Sequence, residues 1–175
     1  MNKKDMRIYI LGFMGSGKST FGKQLAHYAK CPFIDLDKHF EKTYHTSILD
    51  FFTHHAESEF REKEAALLRE SDFPAQAVIS LGGGTPCFYD NMDWLLKDGL
   101  CVYLKLSPKG LQYRLLHSKK QRPLVQGKSP EELLTYIDTL LQEREKYYEQ
   151  AHLIVPGIIL KSAHKSETFR RIMNV

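Results

Sequence analysis

The decapeptide LGFMGSGKST, residues 11–20, constrains this 175-residue chain more than any other stretch. It closes the apolar run 6–11 and sets Gly12, Gly17, Lys18 and Ser19 in the pattern G-x-x-x-x-G-K-[ST]. Glycines let a backbone curl until successive N–H groups face phosphate oxygens, and a helix starting near Lys18 adds its positive dipole end. A strand before such a loop and a helix after it complete the context. The backbone of Gly15, Ser16, Gly17, Lys18, Ser19 and Thr20 is therefore expected to cradle a nucleoside triphosphate. Lys18 is expected to reach the β- and γ-phosphates and Ser19 to ligate Mg²⁺. A tight packing turn or a dinucleotide site needs no Lys-Ser pair at this spacing.

The strand and helix that the loop requires recur along the chain. Short apolar runs at 7–11, 32–36, 77–81, 101–106 and 152–156 predict five buried strands. Helical apolar spacing covers 18–30, 58–70 and 130–150, and 165–175 reads as a closing amphipathic helix. Ser129 can cap the helix that Pro130, Glu131 and Glu132 begin. Alternation of this kind favours an α/β fold with a parallel sheet covered on both faces. The length suits one domain, 1–175, and the polar segment 117–130 reads as a mobile loop within it.

Composition narrows the class. With 42% hydrophobic and 26% charged residues, disorder and fibrous architectures are excluded. No run of about 18 apolar residues predicts a membrane span, and the opening MNKKDMRIYILG reads as a core strand instead of a leader. A net charge of +4 allows an acidic ligand but is too mild to imply nucleic acid. Three widely spaced cysteines suggest a reduced, cytoplasmic protein, with Cys101 a core thiol and Cys87 structural.

Other residues suggest where the phosphoryl group goes. FIDLD places Asp35 and Asp37 two apart, on one face if both lie on the strand, so that Asp35 can hold Mg²⁺ through water and Asp37 can orient a substrate hydroxyl. Two solvated loop acids, or a helix cap before His39, are the alternatives for this pair. SLGGGTP carries Gly82, Gly83 and Gly84, a run that destabilises unless something approaches the backbone closely. Arg61, Arg122 and Arg144 offer guanidinium groups for carboxylate or phosphate. His54 and His55 are adjacent, a poor arrangement for one metal, and read as surface residues; Trp94 reads as packing on the sheet.

The ordered set GFMGSGKST, FIDLD, FREKE, LGGG, QRPLV and the spacing of Arg144, Tyr147 and Ala151 resembles the shikimate kinase family over nearly the full length. The resemblance implies a P-loop kinase fold with a five-stranded parallel sheet ordered 2-3-1-4-5. It implies ATP-dependent phosphorylation of the 3-hydroxyl of shikimate, giving shikimate 3-phosphate and ADP, a step of chorismate and aromatic amino acid biosynthesis. By the same carry-over Lys18, Asp37 and Arg122 are catalytic, Arg122 also closing onto the nucleotide from a lid around 114–128. Asp35 supports Mg²⁺ with Ser19. Asp37, Arg61, Gly82, Gly83, Gly84 and Arg144 bind shikimate, Arg61 and Arg144 at its carboxylate, within a substrate region around 37–64 whose pocket Phe52 and Phe60 wall.

The partners implied are ATP and shikimate, with no nucleic acid and no membrane, and the chain is expected to be monomeric. Departures from the family pattern are local. Ala56 replaces a glycine before FREKE, Arg114 precedes by one residue the position of an adenine-stacking arginine, now Leu115, and VPGIILKSAHK lacks the usual D-T/S. A gluconate or nucleoside monophosphate kinase remains the neighbouring alternative in the same class. A nucleotide-dependent switch is the alternative from another class, although no N-K-x-D element for reading guanine follows the phosphate loop.

Overall fold

The computed structural model describes residues 6–118, 127–158 and 164–175. In chain order these form β1 (Arg7–Leu11), α1 (Lys18–Ala29), β2 (Phe33–Asp35), α2 (Leu36–Tyr44), α3 (Ile48–His54) and α4 (Glu57–Glu70). Then come β3 (Val78–Ser80), a 3₁₀ turn (Thr85–Cys87), α5 (Asn91–Asp98), β4 (Gly99–Lys105), α6 (Pro108–Leu116), α7 (Pro130–Tyr148), β5 (Leu153–Pro156) and α8 (Lys165–Met173). The five strands make one parallel sheet in the order β2-β3-β1-β4-β5, as expected.

Strand alternation sorts the core into two layers, because successive side chains leave a strand on opposite faces. Tyr9, Leu11, Ile79, Cys101 and Tyr103 face one layer, where they pack with Phe40 of α2, Phe60 and Leu68 of α4, Leu95 of α5 and Ile137 of α7. Ile8, Ile10, Val78, Val102 and Leu104 face the other, against Phe21 and Leu25 of α1 and Phe169 and Ile172 of α8. Both faces being covered, the strands carry apolar residues at nearly every position. Trp94 does pack here, edge-on to Tyr9 at 6.2 Å between ring centroids.

The four helices read from periodicity are α1, α4, α7 and α8, with α7 held at its start by a capping box between Ser129 and Glu132. Helices α2, α3, α5 and α6 are additional to those read from periodicity. Strand β4 begins at Gly99, earlier than the apolar run at 101–106, since Gly99 pairs with Arg7 at the start of β1. The FIDLD reading also needs correcting. Strand β2 stops at Asp35 and α2 starts at Leu36, so Asp35 and Asp37 do not alternate along a strand. Asp35 is instead the N-cap of α2, accepting from the Lys38 amide at 3.5 Å, and Asp37 sits in the first turn, where the helix dipole favours a carboxylate.

Candidate active site

Register brings the chemistry to one edge of the sheet. Ile10 of β1 lies level with Ser80 of β3, and Ser80 with Asp35 of β2. The phosphate loop, the three glycines and the two aspartates therefore leave the sheet side by side at the carboxyl ends of parallel strands, where open α/β sheets bind ligands. An open cleft of about 390 Å³ occupies this edge, lined by Gly15, Gly17, Lys18, Ser19, Thr20, Asp35, Asp37, Gly83 and Arg114 among others. Its size is that of a small-molecule site.

The phosphate loop is built by its backbone. Gly12 has φ +139°, and a Cβ there would lie 2.9 Å from the Leu104 carbonyl oxygen, so only glycine fits. The nearly buried Lys18 ammonium donates to the carbonyls of Gly12 at 2.8 Å and Phe13 at 3.1 Å, folded back along the loop. Ser16 Oγ is fully buried with no hydrogen-bond partner among the described residues. Such an orphan is costly unless an oxygen-rich ligand completes it. Ser19 Oγ donates to Asp35 Oδ2 at 2.7 Å. A hydroxyl and a carboxylate are hard oxygen donors of the kind Mg²⁺ takes alongside substrate phosphates and waters. The described residues contain no cluster of three His, Cys, Asp or Glu groups that would cage a metal by themselves. His54 and His55 are both exposed, as expected, and His55 pairs with Glu59 at 2.7 Å.

Beside this loop lies a network of side chains. Arg61 of α4, nearly buried, donates from Nε and Nη2 to Glu57 Oε1 at 3.1 and 2.8 Å, and from Nη1 to Glu64 Oε2 at 3.0 Å. Its guanidinium stacks over Phe88 at 4.3 Å and Phe60 at 5.0 Å. Of its five N–H donors these bonds engage three, leaving capacity for one more carboxylate. Burial opposes the Arg61 charge, but Glu64 and Glu57 outweigh it and hold the pKa above the ordinary value. Burial pushes the Glu64 carboxyl up, against the pull of Arg61 and of the Thr85 hydroxyl, which donates to Glu64 Oε1 at 2.6 Å; the Asp37 charge adds to the rise.

The glycine run serves this network. A Cβ on Gly82 would come within 2.8 Å of Glu64 Oε1, 2.8 Å of Thr85 Oγ1 and 3.0 Å of Asp37 Oδ1, and one on Gly84 within 2.7 Å of Arg61 Nη2. The close approach inferred from the sequence is thus made, at these two positions, by the protein's own polar groups. Gly83 faces both halves of the site: a Cβ there would lie 3.3 Å from the Met14 amide nitrogen and 3.4 Å from Arg144 Nη1. Asp37, Arg61, the glycines and Arg144 are therefore brought together beside Lys18 and Ser19, whereas Arg122 and most of the 114–128 segment lie outside the described residues. Phe52 is more exposed than Phe60, at 41%, and the two rings touch at 4.7 Å between centroids.

Four residues have roles that escape sequence reading. Glu57 and Glu64 flank Arg61 at i−4 and i+3, a helical spacing visible in ESEFREKE once Arg61 is singled out. Arg114 braces the loop, donating to the carbonyls of Ser16 at 2.6 Å and Gly157 at 2.9 Å, contacts of long range that no local pattern announces. Tyr148, not the Tyr147 of the sequence motif, reaches the site: it is fully buried and donates to the Gly83 carbonyl. Its i+4 relation to Arg144 is the signal that could have found it. Burial pushes Cys87 up to about 11 and Cys101 up to about 12, so both thiols stay protonated and inert near neutrality.

A sequence model described as "SKI: Shikimate kinase" matches residues 14–175. A shikimate kinase of Bacteroides fragilis is 40% identical over 174 residues, covering 97% of each chain. Among solved structures, shikimate kinase from Bacteroides thetaiotaomicron superposes with a TM-score of 0.89 at 39% identity, covering 97% of both chains. Shikimate kinase from Acinetobacter baumannii in complex with shikimate gives 0.79 at 29% identity, over 97% of this chain and 91% of that one.

Proposed function

The chain belongs to the shikimate kinase family, and from that footing we propose that it transfers the γ-phosphoryl group of ATP to the 3-hydroxyl of shikimate, yielding shikimate 3-phosphate and ADP for aromatic amino acid biosynthesis. The observation that carries this reading is the convergence, in one cleft, of Lys18 and Ser19 with Asp35 and Asp37, flanked by the Arg61 network. The whole chain, 1–175, acts as one domain in this reading, as a cytoplasmic monomer. Among the described residues no helix is long and apolar enough to cross a membrane.

Each half of the site has its own task. Backbone N–H groups of residues 15–20 and the Ser16 hydroxyl receive the phosphates, and Lys18 leaves its loop carbonyls to pair with the β- and γ-oxygens. Ser19 and Asp35 would hold Mg²⁺, which when bound neutralises charge on the β- and γ-phosphates. Arg61 and Arg144 receive the shikimate carboxylate, which fixes the ring and turns the 3-hydroxyl toward Asp37. The Asp37 carboxylate accepts that hydroxyl's hydrogen and takes the proton as the oxygen bonds to phosphorus and the β–γ bridging oxygen leaves with ADP. Arg122, carried by its place in QRPLV, adds positive charge over the transferring group.

A coupled ADP-release assay with MgATP tests the acceptor, offering shikimate, gluconate and nucleoside monophosphates in parallel. Release stimulated by shikimate is expected. Stimulation by gluconate alone would refute the proposal, and release independent of any acceptor would point to a nucleotide switch.

A further inference from the structure

We propose that Tyr148 is a positioning residue whose phenol fixes the glycine turn 82–84 against Arg144, setting the geometry in which the acceptor's carboxylate is received; the role in catalysis rests on the shikimate reading above. Tyr148 is the last residue of α7, one helical turn beyond Arg144 and on the same face. Its side chain is fully buried, its ring packs on Tyr103 of β4 at 5.1 Å, and its hydroxyl donates to the Gly83 carbonyl across 65 residues of sequence.

The partner of that bond is what gives it reach. Three glycines in succession offer no side chains to hold their peptide planes; the Gly82 and Gly84 carbonyls accept from the Thr85 and Cys87 amides at 3.3 and 2.8 Å within the turn, and the Gly83 carbonyl takes its donor from outside. A carbonyl held at Gly83 sets the whole planar unit joining Gly83 to Gly84. Gly83 is also the point of the turn that faces both Met14 of the phosphate loop and Arg144. The same helix end is tied down by Lys105 of β4, which pairs with Glu145 and Glu149 at 2.7 Å each, on either side of Tyr148 in sequence. Burial raises the phenol's pKa, so Tyr148 remains a donor throughout the physiological range.

Tyr148→Phe keeps the ring and removes the donor, and two readouts separate positioning from packing. The Michaelis constant for shikimate is expected to rise at least about fivefold, with that for ATP within about twofold of wild type. Amide exchange of Gly83 and Gly84, followed by NMR in the ligand-free full chain, is expected to speed about tenfold while Gly15 and Gly17 are unchanged. Unchanged exchange at Gly83 and Gly84 would overturn the proposal whatever the acceptor is. So would faster exchange with an unaltered shikimate constant, or an equal rise in both constants. A wild-type chain indifferent to shikimate would instead overturn the proposed function, and the exchange rates would still judge the tyrosine's hold on the turn.

Discussion

The two halves of the cleft are built by opposite means. The phosphate loop is one run of consecutive residues whose work falls to backbone N–H groups, one lysine and the dipole of α1, and its shape is enforced by glycine at Gly12. The facing half is assembled from side chains of α2, α4, the turn after β3 and α7, and its shape is enforced by charge: Glu57 and Glu64 hold Arg61, Thr85 holds Glu64, and Gly82 and Gly84 make room. The first half takes its shape from local conformation, the second from long-range pairing. Damage should therefore stay on its own side: changes in the loop should act on ATP and turnover, changes in the arginine network on the acceptor.

Lys18→Ala should give the largest effect, a loss of at least about 10²-fold in turnover with the fold intact by circular dichroism, because it removes charge where the phosphoryl group transfers. Turnover within a factor of two of wild type would remove the loop from the chemistry. Glu64→Ala should cost about 3–5 kcal/mol in chemical denaturation, since it leaves the Arg61 charge, 9% exposed, without its buried partner. Gly84→Ala must push the Arg61 guanidinium aside, so the shikimate Michaelis constant should rise about tenfold, about 1.4 kcal/mol, while the ATP constant stays put. An equal rise in both would show that the halves are not separate.

The smallest effect is expected outside the cleft. Lys105→Met should cost no more than about 1 kcal/mol, since its ion pairs with Glu145 and Glu149 are solvent-accessible. Hydrogen bonds to these two carboxylates raise the Lys105 pKa above its ordinary value. Its contribution is thus complete below the unfolded value and is lost as pH rises through the higher folded value. Thermal melts of wild type and variant should differ most at neutral pH and low salt and converge in strong alkali.

The same contrast explains what could be read from the sequence. The five strands, the helices α1, α4, α7 and α8 and the phosphate loop were legible because each rests on contiguous patterning, the strongest sequence signal, whereas the strand order came from the family resemblance. Arg61 and Arg144 were legible through motif spacing, but their partners were not. Which carboxylate meets Arg61, which carbonyl meets Arg114, and whether Tyr147 or Tyr148 turns inward depend on how helices dock, information no window of sequence carries. The aspartate pair shows the boundary case: FIDLD correctly brought Asp35 and Asp37 to the cleft, yet by a strand alternation that the early start of α2 replaces with a helix cap. Residue type pointed to the cleft there, and backbone conformation was settled by the capping preference of Asp35.

The most direct measurement is the position of the new phosphate ester, read by ³¹P–¹H correlation NMR on the product formed from MgATP and shikimate. A phosphorus coupled to the proton on carbon 3, formed with stoichiometric ADP, is the predicted result. A phosphate on another hydroxyl, or inorganic phosphate alone, would contradict an Asp37 aimed at the 3-hydroxyl from across the Arg61 network.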